Sequence, residues 1–200
     1  MARTSDARER LLEAALELIW TSSYGAVSVD DICERAGVKK GSFYHFFESK
    51  AELALQAYDA HWSEIQTKLD AVFSPQTPPL ARLENWCQAV YEDQKQRFLE
   101  SGRVCGCPFA NVGSELSTLD ERLRRKSLEM LERGSRYLES AVAEGVRLGQ
   151  IPAVDPKAAA HEIYALFMGQ MLQAKLANNP ETLRDLGPQV LKLLRSRAVA

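Results

Sequence analysis

Apolar residues recur at intervals of three and four along most of this chain, and the runs break where glycine and proline fall. That spacing reads as all-α, with about nine helices. Leu11, Leu12, Ala15, Leu18 and Ile19 form the stripe of a first helix over Ser5 to Thr21, behind a flexible arm of residues 1–4. Ser28 is placed to cap a second helix, with Asp31 three residues on; Val29, Ile32, Cys33 and Ala36 form its apolar face and Gly37 ends it. A short third helix starts at Lys39 or Lys40 and runs to Phe46. Ser49 and Glu52 form another capping box for a helix from Lys50 to Phe73, long enough to leave one domain and enter a second.

The rest of the chain continues the pattern. Ser74–Pro79 is a proline loop, followed by a helix over Leu80 to Glu100. A short helix follows Cys105-Gly106-Cys107, then a long one from Leu119 to Gly149. Asp155-Pro156 opens a helix that runs to Ala177 and is apolar nearly all round, so it needs cover on more than one side. After Asn178-Asn179-Pro180, a last helix spans Glu181 to Arg197. A partner's copies of these two final helices would complete a four-helix bundle, which predicts a homodimer. The expected domains are 1–48 for a three-helix unit and 49–200 for a larger helical domain.

Helix, glycine turn, helix over Ser28 to Phe46 is the pattern whose second helix enters a DNA major groove. Lys39, Lys40, Ser42, Tyr44 and His45 offer charge and hydrogen bonds there, and Phe43, Phe46 and Phe47 can anchor the opposite side. Gly41 weakens a helix by about 1 kcal/mol against alanine, a cost that makes sense where a backbone must approach a base or phosphate closely. Lys50 at a helix start suits a phosphate, Ser28 sits at another helix start, and Arg3 in the arm can reach a phosphate or the minor groove.

The wording GVKKGSFYHFFESKAEL closely resembles the signature of TetR-type (TetR/AcrR) transcriptional regulators, and the likeness runs from about Arg8 to Tyr58. It implies a dimeric helix-turn-helix regulator of double-stranded operator DNA, most simply a repressor released by a small-molecule effector. It also implies that the last two helices pair the subunits.

Composition agrees without adding to this. The net charge is −2, and the first 50 residues carry seven cations against eight acids, so DNA binding would rest on where charge sits. Glu9, Glu13 and Glu17 share one face of the first helix, while bases gather at the N-terminus and on the third helix. No signal peptide or apolar run of membrane length appears, and four scattered cysteines are no disulfide framework; the cytoplasm is the expected location.

The sequence holds no motif for catalysis, a metal or a cofactor. A ligand pocket in the larger domain would draw on His61, Trp62, Trp86, Tyr91, Phe109, Tyr164, Phe167 and Met168, although aromatic and Met stripes serve equally as core. Cys107 lies at the start of a helix, beside Arg103, where a thiol pKa would fall. GCPFANVGSEL resembles a stretch found in a NemR- and AcuR-like subgroup of the same family, with Cys107, Asn111 and Glu115 matching. That resemblance implies electrophile sensing at Cys107; a buried cysteine shaping a pocket is the plainer reading. The competing functions are a helical small-molecule carrier or enzyme with an incidental helix-turn-helix, and a protein-interaction module.

Overall fold

The computed structural model describes residues 2–196, with side chains from Asp6 onward. Among these residues the fold is all-helical: α1 (Ala2–Thr21), α2 (Val29–Ala36), α3 (Lys40–Phe46), α4 (Lys50–Val72), α5 (Pro79–Ser101), α6 (Pro108–Leu116), α7 (Glu121–Arg147), α8 (Pro156–Ala177) and α9 (Leu186–Ser196).

Local chemistry sets most of the boundaries. The Asp31 N–H donates to Ser28 Oγ at 3.1 Å and the Ser28 N–H returns to Asp31 Oδ2 at 2.7 Å, closing the capping box of α2. Gly37 ends that helix at φ 63°, a left-handed value that a Cβ disfavours. Asp155 caps α8 by accepting the Lys157 N–H at 3.0 Å, with Pro156 in the first turn. Asn178 ends α8 in the left-handed region at φ 46°.

Two expectations fail here. The arm of residues 1–4 is not separate, since α1 already begins at Ala2; the Arg3 side chain lies outside the described residues. The last helix is not continuous from Glu181. A short 3-10 turn spans Pro180–Leu183, and α9 starts at Leu186. Pro188 explains the break: its ring would strike the carbonyl four residues back and it has no N–H to donate, so it is tolerated only in a first turn. Arg197, the expected end of that helix, is outside the described residues.

The chain forms two compact units. The first joins Met1–Ile65 to Cys107–Met130. Leu11, Ala15, Ile32, Phe43, Phe47 and Leu53 are fully or almost fully buried in it, joined by Tyr58, Val112 and Leu123. Arg10 Nη1 donates to the Ala36 carbonyl at 2.9 Å, tying α1 to the end of α2. The second unit joins Gln66–Gly106 to Leu131–Ala200. Leu83, Leu138, Val142, Ile163, Leu183 and Leu186 make its centre. Arg82 is buried there. It pairs with Glu144 at 2.7 Å and donates to the Thr77 and Pro75 carbonyls, which fixes the proline loop. No helix of the described residues is long and apolar enough to cross a membrane.

Candidate functional site

Helix α3 is built to show one face and bury the other. Phe43 is completely buried and Phe47 almost so, with ring centroids 5.8 Å apart. Phe46, expected as a third anchor, is only half-buried against His45. With Phe43 and Phe47 held in the core, the turns of a 3.6-residue helix carry Lys40, Gly41, Ser42, Tyr44 and His45 outward, and all five are exposed. Tyr44 keeps 55% of its surface in water, unusual for a large aromatic residue. Lys39 is exposed at the N-cap and makes no side-chain cap bond. A Cβ placed on Gly41 would meet no atom within 4 Å, so nothing inside the protein requires glycine there. Lys40 pairs with Asp30 at 2.8 Å across the turn. The exposed pair orients the ammonium and contributes little to stability.

Two residues expected to touch DNA are occupied within the protein. Ser28 Oγ is engaged in the capping box. Lys50 points inward: its Nζ donates to the Tyr24 and Val27 carbonyls, each at 2.8 Å, and lies 4.1 Å from the centre of the Tyr24 ring. Burial lowers its pKa, against the pull of Glu115 and Asp31. Lys50 thus organises the turn between α1 and α2. That turn has another support that sequence reasoning missed. Glu115 of α6 accepts the Tyr24 N–H at 3.0 Å and the Gly25 N–H at 2.7 Å.

The residues expected around a ligand fall into separate groups. In the first unit, the buried His61 ring lies 5.1 Å from Trp20 and 5.7 Å from Phe109. Tyr58 sets its edge on Phe109 at 5.0 Å and donates its hydroxyl to the Pro108 carbonyl at 3.1 Å. Trp62 is buried; Asn111 is half-buried, with its N–H on the Cys107 carbonyl. In the second unit, Trp86 and Tyr164 both pack on Phe167, at 5.0 and 5.4 Å, and Met168 is half-buried. Tyr91 does something else. Its hydroxyl donates to Glu181 at 2.8 Å and accepts from Arg184 at 3.3 Å, binding α5 to the 3-10 turn.

The cysteine chemistry departs from expectation. Cys107 does stand at the N-cap of α6. Cys107 is only half-buried by exposure, but the thiol sits beneath packed neighbours and desolvation pushes it up to about 11, which the backbone N–H groups of Ala110 and Phe109 offset only in part. Burial also raises Cys33, Cys105 and Cys87, the last to about 12. All four cysteines are free, and no cluster of metal-binding side chains occurs among the described residues.

Comparison with known proteins bears on both units. Residues 11–57 match the family model described as bacterial regulatory proteins, tetR family, and residues 79–187 match the tetracyclin repressor-like C-terminal domain. The chain is 32% identical over 184 residues to the transcriptional regulator AcuR of Cereibacter sphaeroides, covering 90% of this chain and 81% of that protein. It is 30% identical over 185 residues to the HTH-type transcriptional repressor DhaR of a Mycobacterium species, covering 92% and 89%. A crystal structure of the regulatory protein TetR from Rhodobacter sphaeroides superposes with a TM-score of 0.82 at 30% identity, over 92% of this chain and 96% of that one.

Proposed function

We propose, from the premise that this chain belongs to the TetR family of bacterial regulatory proteins, that it is a dimeric repressor released from its operator by a small molecule. The family makes it a DNA-binding transcriptional regulator; repression, the dimer and the effector are our reading. The observation that carries the site assignment is α3, which is locked by Phe43 and Phe47 while Lys40, Gly41, Ser42, Tyr44 and His45 stay exposed, with Lys40 paired to Asp30 and only ring contacts from Tyr44 and His45 to their neighbours in the same helix.

In this reading residues 1–48 hold the DNA-contacting surface and residues 49–200 serve pairing and effector binding. Lys39, Lys40, Gly41, Ser42, Tyr44 and His45 meet base edges and phosphates in the major groove. Ser28 and Lys50 act behind that surface, fixing where α2 and α3 begin. Pairing is supported by α8. One face is buried by Ala160, Ile163, Phe167 and Ala174, but Leu172 and Leu176 remain 58% and 78% exposed. A partner covering those leucines would complete the dimer, and two α3 helices reading successive major grooves of one operator would need to stand about 34–36 Å apart, one duplex turn.

The raised pKa of the half-buried Cys107 thiol favours an effector bound without a covalent bond. The Trp86, Tyr164, Phe167 and Met168 group suits an apolar or aromatic molecule. Such a molecule releases DNA only if it prefers the arrangement that fits the operator poorly. The bacterial cytoplasm, where chromosome and metabolites meet, is the proposed place of action.

Selection of genomic fragments on the purified protein tests this. The expected product is a near-palindromic site whose affinity falls steeply between about 50 and 200 mM salt. Failure to enrich any fragment at low salt would refute the reading.

A further inference from the structure

The turn between α1 and α2 is held from two sides by groups distant in sequence. Glu115, near the end of α6, receives the N–H groups of Tyr24 and Gly25 on its two carboxylate oxygens. Lys50, at the start of α4, gives its ammonium to the carbonyls of Tyr24 and Val27. The fit is close: a Cβ on Gly25 would come within 2.9 Å of Glu115 Oε1. The turn then runs through Val27 directly into the Ser28 capping box that starts α2. Within this unit, the seating of the helix-turn-helix and the position of α6 meet at one carboxylate.

We propose that Glu115 is a positioning residue that couples α6 to the helix-turn-helix, so that the place of α6 and the seating of the α1–α2 turn form one equilibrium. A carboxylate that accepts two neighbouring amides makes charge-assisted bonds, which are shorter and stronger than neutral ones. Moving α6 must either carry the turn along or leave those two amides without the carboxylate. The other end of α6 carries Pro108 and Phe109, which contact Tyr58 and His61. A change there therefore has a route to α2 and α3 through Glu115, besides any route through α4. Linkage makes the coupling reciprocal, so DNA that fixes the turn must steady α6 as well.

The coupling rests on the DNA-binding reading and has its own test. Amide hydrogen exchange over Pro108–Leu116 is measured in the full-length protein, with and without the genomic fragment it selects. In the unaltered protein the fragment is expected to slow exchange in α6 by about threefold or more. In Glu115→Ala that slowing should vanish while α3 is still protected by the fragment. Gly25→Ala approaches the same contact from the turn: it displaces only the flexible end of the glutamate side chain, and it should abolish the slowing too. Gly25→Ala decides the matter alone if Glu115→Ala folds poorly. Equal slowing of α6 in the variants and the unaltered protein, or none in the unaltered protein, overturns the coupling. A protein that binds no fragment at all overturns the regulator reading, and the coupling with it.

Discussion

Lys50 and Tyr44 make the sharpest paired test, because the structure gives them opposite duties. Lys50→Ala removes an ammonium that donates to two backbone carbonyls. Hydrogen bonds to charged groups contribute about 1.5–3 kcal/mol each, and the cost of burying the ammonium reduces the sum, so about 2–4 kcal/mol is expected. At about 2–4 °C per kcal/mol for a chain of this size, melting should fall by about 4–16 °C. Tyr44 has 55% of its surface exposed and packs only an edge on Phe43, 5.1 Å between centroids. Tyr44→Ala should change stability by less than about 0.5 kcal/mol. If Tyr44 reads a base or stacks on the sugar edge, its loss should weaken binding by about 1–3 kcal/mol, roughly 5- to 150-fold. Its salt slope should stay the same, since no charge is removed.

The assay is a thermal melt by circular dichroism beside fluorescence anisotropy with the selected fragment at several salt concentrations. The reasoning is refuted for Lys50 if the variant melts normally and its salt slope drops by about one, the mark of a lost phosphate contact. It is refuted for Tyr44 if affinity is unchanged.

Pairing through α8 predicts that Leu172→Glu with Leu176→Glu yields a monomer in sedimentation and weakens operator binding more than about tenfold, since two half-sites are no longer held together; a dimer of unaltered mass would place the interface elsewhere. For Cys107, burial raises the thiol from 9.0 to about 11, so the protonated thiol is the form that suits the fold. Its stabilising contribution is full below about pH 9 and is lost as pH rises through about 11. Denaturant melts should weaken over that range and weaken less in Cys107→Ala. Alkylation by iodoacetamide, mapped to Cys107 by mass spectrometry, should still be accelerating at pH 10; a plateau below pH 8 would mean an activated thiolate.

What is legible in the sequence is local. The Ser28–Asp31 capping box, Gly37 and the Asp155-Pro156 start involve residues within a turn of one another, and each lies where the wording places it. The exposed face of α3 is readable for the same reason, since Phe43 and Phe47 fix its orientation within a single short helix. Pro188 is a local signal too, masked because the apolar stripe runs through it without interruption. Arg82 gives no signal of its own. On helical spacing it reads as a surface base, and only Glu144, 62 residues away, and the folded-back proline loop reveal it as buried.

Lys50 and Cys107 depart from expectation for one shared cause. Each residue stands at a helix start, where the dipole of the first turn points to a chemistry: a phosphate for the ammonium, a lowered pKa for the thiol. That field is weak beside desolvation. The pKa of Lys50 is lowered chiefly by burial, and that of Cys107 is raised by burial against the N–H groups of its own helix. Burial is imposed by segments that no window of sequence brings together, as when the α1–α2 turn closes over Lys50. Glu115 shows the same relation from the other side. Its own stretch marks it as one of three matching polar residues, but its partners are two backbone amides about 90 residues away. Backbone amides carry no side-chain identity, so no residue pattern at positions 24 and 25 announces the bond. A glycine at 25 with a carboxylate pressed against it is the trace left in the sequence, and only the fold gives that trace a meaning.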